Sequence, residues 1–236
     1  MLIVVLDSAT PAITAALAEV TETDVRVLAQ RVTVDARAHG ELLAPAVNAV
    51  LQEAGAKPRD LTAVVAGVGP GPFTGLRVGL VTAAALADTL HVPAYGVGTL
   101  DALGWATRQR TLVATDARRK EVYWAVYENG APITPPGVGK PAELHLPDGV
   151  RAAVGDGALR YQDVLSIKVE GVKVEDEPRF PPAQGFVALA AQRVRDKAPS
   201  EPLTPLYLRR PDAVEPSSRK SAAALPRSRP AAGGGA

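Results

Sequence analysis

The sequence predicts an α/β fold of two lobes, in which a mixed sheet carries helices on both faces and a second, smaller lobe follows. Three observations lead to this prediction. Residues 2–6, 13–20 and 26–34 are apolar or β-compatible and are separated only by short turns, so three consecutive strands are expected. Helical and strand patterns then alternate over residues 36–99. A unit of strand, aspartate, tight turn and strand begins again at residue 111.

The alternating part of the first half contains the helices and the remaining strands. Apolar side chains recur at three- and four-residue spacing over residues 36–54, which is typical of an amphipathic helix that Gly55 ends. The elements expected after it are a strand over 61–66, a helix from residue 75 to about residue 90 that Thr74 caps, a strand over 92–97 and a helix from Thr99. Three strands followed by alternating helices and strands match a ribonuclease H-like layout.

The second half repeats the plan of the first in reduced form. A strand over 111–115 ends at Asp116, and a tight turn leads into a strand over 121–127, just as the first strand ends at Asp7 before a turn and a second strand. We interpret this similarity as a weak internal duplication. The other elements expected in this half are a strand over 150–154 and a helix over 186–197.

These patterns divide the chain into three parts. Residues 1–110 are expected to form the ribonuclease H-like lobe, and residues 111–210 the smaller lobe. Over residues 211–236 the composition changes to mainly Pro, Ser, Ala, Arg and Gly. Such a segment buries too little apolar surface to fold, so we expect a disordered tail.

Composition and charge exclude several classes of function. With 26 basic and 25 acidic residues the formal net charge is +1, so the chain lacks the overall positive charge of a protein that holds nucleic acid unaided. The absence of cysteine excludes disulfides, thiolate metal ligands and cysteine nucleophiles. The apolar run at the N-terminus is five residues long, too short for a signal peptide or a membrane span. We therefore expect a cytoplasmic protein without a membrane partner.

The glycine- and proline-rich loop over residues 67–75 lies between a strand and a helix, where phosphate-binding loops occur. Its spacing fits neither a dinucleotide loop nor a P-loop, because the glycines do not fall at the first, third and sixth places and no Gly-Lys-Ser/Thr follows. Pro70 and Pro72 also remove two N–H donors from an anion site. A rigid structural turn is favoured over a nucleotide site.

A stripe of small residues follows this loop, because Gly75, Gly79, Ala83 and Ala87 recur every four residues along one helix face. Small side chains allow another backbone to approach closely. The stripe predicts close packing either against a helix of the same lobe or against a partner protein, and the spacing alone leaves both interpretations open.

Asp7 and Asp116 each follow a buried strand and precede a turn, as do the phosphate- and metal-binding aspartates of actin-like ATPases and sugar kinases. Those enzymes have a glycine two places further on, whereas this chain has Ala9 and Arg118. The two aspartates are candidate nucleotide-binding residues, and simple capping of the turn is the alternative.

Neither a metal site nor a hydrolase site is indicated. The three histidines, His39, His91 and His145, are about fifty residues apart and form no His-x-x-x-His pair. No Gly-x-Ser-x-Gly nucleophile elbow is present. We therefore predict no metal, no cofactor and no catalytic residue in this chain.

Six blocks of the sequence resemble the TsaB family, also called YeaZ. They are VVLDSAT, ARAHGELLAPAV, AGVGPGPFTGLRVGL, GVGTLDALGWA, TDARRKEVYWAVY and LTPLYLRRP, and the match runs from residue 2 to about residue 211. The GPGPFTGLR block is highly specific. The resemblance implies an actin-like (ASKHA) fold of two lobes with the second reduced.

The resemblance also implies a function. It is a role in attaching the threonylcarbamoyl group to the adenosine beside the anticodon of tRNAs that read codons beginning with A. In that pathway a homologous subunit, TsaD, performs the transfer. The chain is expected to contact a TsaE-like ATPase and the tRNA only indirectly, through the complex. TsaD has a metal-binding His-x-x-x-His on a helix whose counterpart here, residues 99–105, has no histidine. The chain is thus expected to be a non-catalytic subunit, and homodimerisation without the partner is left open.

In the family, the first long helix and the small-residue helix form the face that meets the catalytic subunit. Seven residues are thereby placed at or near the partner interface: His39, Glu41, Leu42, Leu43, Gly75, Gly79 and Ala83. The chain departs from the family pattern at two places. Many relatives have a Thr-Ser pair in place of the Ser-Ala-Thr of residues 8–10, and many have Ser in place of Gly40. The competing class of function is an enzyme, either an ATP-dependent kinase of the actin-like superfamily or a glycoprotease-like peptidase.

Overall fold

The computed structural model describes residues 1–209, and the predicted tail over 211–236 lies outside the described residues. The first sheet has the order β3-β2-β1-β4-β5, with β1 to β3 forming an antiparallel meander and β4 and β5 running parallel to β1. Its elements are β1 (Leu2–Asp7), β2 (Ala12–Val20), β3 (Val25–Val34), α1 (His39–Glu53), β4 (Ala63–Gly67), α2 (Phe73–Leu90), β5 (Ala94–Val97) and α3 (Thr99–Gly104).

The second sheet has the order β11-β10-β6-β7-β8, and β9 pairs with β7 outside this path. Its strand β6 pairs antiparallel with β7 and parallel with β10, as β1 does with β2 and β4. The elements of this half are β6 (Thr111–Asp116), β7 (Val122–Glu128), β8 (Ala131–Pro132), β9 (Gly137–Gly139), β10 (Ala152–Val154), α4 (Asp156–Arg160), α5 (Gln162–Lys168), β11 (Lys173–Val174) and α6 (Ala183–Arg195).

The predicted strands and long helices are all present, with ends shifted by a few residues. One predicted cap is wrong, because α2 begins at Phe73 with Pro72 as its N-cap, which places Thr74 inside the helix. Proline already holds the backbone dihedral that precedes or starts a helix, so no side-chain cap is needed to set the start. The elements α4, α5, β8, β9 and β11 were not predicted, because segments of two to seven residues are too short to show a period.

Helices cover both faces of the first sheet, but they come from distant parts of the chain. Side chains of α1 and α2, such as Leu43 and Leu76, pack on one face. The other face, which includes Ile3 and Tyr95, is covered by α6 through Phe186 and its neighbours. The helix α6 therefore packs on the first sheet. In sequence it belongs to residues 111–210, which were predicted to form the second lobe. Its apolar face matches the first core better than the small second one.

The segment after α6 continues along the edge strand β5. The N–H of Glu201 donates to the carbonyl oxygen of Ala94, and the N–H of Gly96 donates to the Glu201 carboxylate at 3.2 Å. Arg193 of α6 pairs with the same carboxylate at 2.7 Å and donates to the carbonyl of Gly96. The exposed edge of the sheet is thus covered by chain rather than left open to another strand.

The same C-terminal segment (residues 200–209) then joins the two halves. The N–H of Leu206 donates to the carbonyl of Val68 at 2.8 Å, next to β4. Leu208 packs against the core between the halves, and Arg209 donates to the carbonyl of Ala117 at 3.0 Å and pairs with Glu121. This ten-residue segment therefore contacts both halves of the molecule.

We predict that Glu201→Ala lowers the free energy of unfolding by about 1–2 kcal/mol, because it removes the acceptor of the Gly96 N–H and the carboxylate partner of the partly buried Arg193. Urea unfolding with an unchanged m-value measures the effect. The control is Glu175→Ala, which breaks a 3.6 Å surface pair with Lys173 and should cost less than about 0.5 kcal/mol. Equal effects of the two changes would contradict this role of Glu201.

Candidate functional site

The candidate site lies where β1 and β4 end side by side in the first sheet. Because the two strands are parallel, Asp7 at the end of β1 comes next to Gly67 at the end of β4. A side chain at Gly67 would overlap the Asp7 carboxylate. The turn over residues 8–11 and the loop over residues 68–72 leave the sheet here and meet the start of α2.

The hydroxyl of Ser8 is inserted into the backbone hydrogen bonding of α2. Its Oγ donates to the carbonyl oxygen of Gly75 at 2.7 Å and accepts from the N–H of Gly79 at 2.8 Å. In a regular helix, that N–H and that carbonyl would bond to each other. The first turn of the chain is thereby joined to α2 through two hydrogen bonds to one side chain.

This insertion explains the two glycines of the small-residue stripe. A Cβ at Gly79 would lie 2.5 Å from the Ser8 Oγ, and a Cβ at Gly75 would lie 2.8 Å from the Ser8 carbonyl oxygen. Ala83 and Ala87 of the same stripe are also buried, at 0% and 5% exposure. The stripe therefore packs inside its own chain. Gly79 and Ala83, which the resemblance places at or near the partner interface, are buried and thus lie beneath the accessible surface of α2.

The remaining predicted interface residues are divided between the interior and the surface. His39 begins α1, is buried, and donates from Nε2 to the carbonyl oxygen of Thr10 at 2.9 Å, which fixes α1 against the first turn. Leu43 is buried in the core, so it too lies inside. Glu41 is exposed and Leu42 is half-buried, and these two lie at the edge of the accessible surface.

Asp7 is almost completely buried, at 1% exposure. Its Oδ1 accepts from the hydroxyl of Thr99 at 3.1 Å, and that hydroxyl accepts from the N–H of Gly69 at 3.2 Å. Its Oδ2 has no hydrogen-bond partner among the described residues. Burial raises the pKa of Asp7 to about 7, and the Thr99 hydroxyl opposes this rise only in part.

The second predicted aspartate, Asp116, does cap its turn, because its Oδ1 accepts from the N–H of Arg118 at 3.2 Å. Its own N–H donates to Oδ1 of Asp156, the first residue of α4. Burial raises the pKa of Asp156 to about 6, and the neighbouring Asp116 charge adds to that rise. Asp156 was not predicted from the sequence, although its position between Gly155 and Gly157 after a strand was a usable signal.

A cleft of about 660 Å³ lies beside these aspartates, between the first turn and the second half. Arg118, Arg160 and Arg179 line it together with Asp156 and apolar groups such as Phe180. Ala9 is buried against the backbone of Gly71, where phosphate-binding relatives of this fold need open glycine backbone. Over residues 1–209 no group of three or more His, Asp or Glu side chains is placed to hold a metal.

The outer face of α2 is apolar and open. Phe73 and Val81 are 45% and 66% exposed, and the Phe73 ring stacks on Tyr207 of the C-terminal segment at 5.2 Å between centroids. The guanidinium of Arg77 lies 4.6 Å from the centre of the Phe73 ring. In the part of the chain that is described, α2 alone has the length and apolar composition of a membrane span, and only 33% of it is buried.

Comparisons with known proteins connect this geometry to a family. A family model described as TsaD: tRNA N6-adenosine threonylcarbamoyltransferase matches residues 26–174. An uncharacterized protein of Mycobacterium tuberculosis is 47% identical over 211 residues, which cover 89% of this chain and 93% of that protein. The tRNA threonylcarbamoyladenosine biosynthesis protein TsaB of Escherichia coli is 33% identical over 190 residues, 73% of this chain and 81% of that protein.

A solved structure, YeaZ from Pseudomonas aeruginosa, matches the chain with a TM-score of 0.71 and 25% sequence identity, covering 88% of this chain and all of that one. The predicted α/β, actin-like fold of two lobes is confirmed by this match and by the two mixed sheets.

We predict that Gly79→Ala lowers the free energy of unfolding by about 1–3 kcal/mol, because the new methyl group meets the Ser8 hydroxyl. The change would otherwise favour the helix by roughly 1 kcal/mol. Adding Ser8→Ala should restore most of the loss, since it removes the hydroxyl that the new methyl group meets. Chemical denaturation of both variants measures this.

The control for this prediction is Gly40→Ala in α1, where nothing lies within 4 Å of an added Cβ. It should leave stability unchanged or raise it by up to about 1 kcal/mol. A Gly79→Ala protein that is as stable as the Gly40→Ala protein would show that Ser8 is not held in the helix.

We predict that Asp7→Asn reduces the dependence of stability on pH. The pKa of Asp7 is raised in the folded state, so its contribution is fully present below about pH 4 and is lost as the pH rises through about 7. The loss amounts to roughly 3–4 kcal/mol in wild type. The asparagine variant should therefore be the more stable protein at pH 8. Urea unfolding at pH 5, 6.5 and 8 gives the free energy of unfolding at each pH. The prediction is refuted if this free energy changes with pH equally in both proteins.

Proposed function

The chain belongs to the TsaB family, also called YeaZ, and from this premise we propose that it is a non-catalytic subunit in tRNA threonylcarbamoyladenosine biosynthesis. Its family membership supports the role in this pathway. The more specific proposal is that it binds and activates a TsaD-type catalytic subunit, which attaches the threonylcarbamoyl group to the adenosine beside the anticodon of tRNAs reading codons that begin with A. The exposed face of α2 is the observation that carries the proposal.

This face has the composition of an interface rather than of an ordinary surface helix. Its exposed positions between residues 73 and 85 are Phe73, Thr74, Arg77, Val81, Ala84 and Ala85. The single charge among them is Arg77, whose guanidinium lies over an aromatic ring. Interface centres are depleted in charge, and aromatic residues and arginine dominate their binding energy. A solvated helix face would be expected to have more charged side chains.

The neighbouring helix α1 extends the same surface with Ala44 and Pro45, which are exposed, and with Glu41 at its edge. The buried residues of the predicted interface support this surface from below. His39 fixes the start of α1, and Gly75 and Gly79 let the first turn hold α2. We define the docking face as the exposed residues of α1 and α2 named here, together with Tyr207.

Three features support a role without chemistry of its own. The segment over residues 99–105 lacks the paired histidines of the catalytic relative. The Ser8 hydroxyl is engaged with α2, so it is not a free nucleophile as a peptidase would require. Ala9 and Arg118 stand where a kinase needs glycine, which weighs against the ATP-dependent alternative.

The wider assignments are also proposals. We infer a TsaE-like ATPase as a partner reached through the catalytic subunit, and the cytoplasm as the location. Because the docking face is apolar, we propose it also as the surface through which two copies of this chain would pair when the catalytic subunit is absent.

We predict that Val81→Asp weakens binding of the TsaD-type subunit by about tenfold or more, because docking would bury an unpaired carboxylate. The monomer should stay folded, since Val81 is 66% exposed. Co-purification, calorimetry and threonylcarbamoyladenosine formation on a tRNA transcript provide the measurements.

The matched control is Ile167→Asp on α5, which changes an equally apolar side chain at 88% exposure in the second half. It should bind the partner and support modification as wild type does. The docking proposal fails if Val81→Asp binds normally. The activating role fails if the catalytic subunit, with threonylcarbamoyl-AMP and tRNA, turns over equally well without this chain.

A further inference from the structure

The turn between β6 and β7 consists of three cations in an unusual backbone conformation. Arg118, Arg119 and Lys120 have φ angles of 62°, 53° and 62°, all in the left-handed region. All three are exposed. Glycine and asparagine adopt this conformation more readily than long side chains do, and strained backbone of this kind tends to occur at functional sites. Local stability therefore does not explain why this turn is cationic.

The turn is held firmly from inside the fold. The N–H of Ala117 donates to the carbonyl of Glu121, the N–H of Glu121 donates to the carbonyl of Arg118, and Asp116 accepts from the N–H of Arg118. The one acid next in sequence, Glu121, pairs with Arg209 of the C-terminal segment. The acid beside the turn is thus already neutralised.

Two more arginines extend the positive charge around the mouth of the cleft. Arg160 of α4 and Arg118 each lie 3.9 Å from the same Asp116 oxygen, with 61% and 51% of their side chains exposed. More than half of each arginine side chain therefore remains open to solvent on the side away from Asp116. Arg179 is exposed and lines the same cleft from the segment before α6.

The interior of the cleft is unsuited to an anion. Its lining includes Asp116, Asp156 and Asp176. A small anion would be repelled there, whereas a long polyanion that crosses the mouth meets the exposed Arg118, Lys120 and Arg160. Asp176 is exposed as well, on the side of the mouth where Arg179 lies. Because the net charge of the whole chain is +1, this attraction is local to the rim.

We propose that Arg118, Lys120, Arg160 and Arg179 form a basic rim that binds the phosphate backbone of RNA. The choice of tRNA as the RNA rests on the proposed function, whereas binding at the rim itself does not. The chain then contributes directly to holding the substrate of the complex, beside a docking face that meets the catalytic subunit. Phosphates position a nucleic acid without reading its sequence, so the rim should bind different tRNAs alike.

The test is a double variant, Arg118→Asn with Lys120→Asn, made in the full chain. Asparagine suits the left-handed turn, so the melting temperature should stay the same or rise by about 1–3 °C. Fluorescence anisotropy with a labelled, unmodified tRNA transcript over a series of NaCl concentrations measures binding. We expect affinity to fall about tenfold at 0.1 M salt, and the slope of log K against log salt concentration to fall by about 1–2.

The matched control is Arg151→Asn with Lys173→Asn, which removes the same charge from exposed positions near β10 and β11. It should bind within about twofold of wild type, and residues 210–236 are the same in both proteins. If tRNA affinity falls equally in the two double variants, or falls in neither, the proposal that the rim binds RNA is overturned. Displacement of the transcript by micromolar ATP would reassign the rim to free nucleotides and overturn the RNA assignment.

Two further measurements separate this proposal from the proposed function. The rim variant should bind the TsaD-type subunit normally, whereas Val81→Asp should bind tRNA normally as an isolated chain. If wild-type chain alone shows no tRNA binding, the same comparison is made with the reconstituted complex. Equal tRNA affinity of complexes containing the wild-type and rim-variant chains would refute the rim.

Discussion

The architecture of the site depends on one hydroxyl group. The Ser8 Oγ donates to the carbonyl of Gly75 and accepts from the N–H of Gly79, two backbone groups that pair with each other in a regular helix. These two hydrogen bonds fix the distance between the first turn and α2. It also requires glycine at two positions, gives His39 and α1 a fixed neighbour, and orients the opposite face of α2 toward solvent. The apolar docking face is therefore a consequence of polar bonding on the other side of the same helix.

Much of the fold could be predicted from the sequence, because long segments show their period. The three first strands and the helices α1 and α2 bury one face or both, so their apolar residues recur at regular spacing. The short elements of the second half show no such period. Nor does a sequence show which sheet a late helix will cover, and α6 packs on the first sheet because Phe186 and Val187 complete the core around Ile3 and Val5.

The site was predicted only in part. The small-residue stripe was visible, but spacing alone could not tell whether Ser8 of the same chain or a partner would fill it. Asp7 and Asp116 were found by their positions after strands, yet their environments differ. Both are buried, but Asp116 accepts from the N–H of Arg118 in its own turn, whereas Asp7 accepts from the hydroxyl of Thr99. That difference depends on Thr99, which is 92 residues away in sequence and is invisible to local patterns.

The return of the C-terminal part to the first sheet bears on how the protein forms during synthesis. One face of the first sheet is covered by α6, and the edge of β5 is bonded to Glu201. Both elements leave the ribosome after every strand of this sheet. The first 180 residues therefore emerge with an uncovered apolar face and an unpaired strand edge, a state that invites association with other chains. Completion of this lobe must await the synthesis of α6 and Glu201, and a nascent chain stalled before α6 should depend on chaperones.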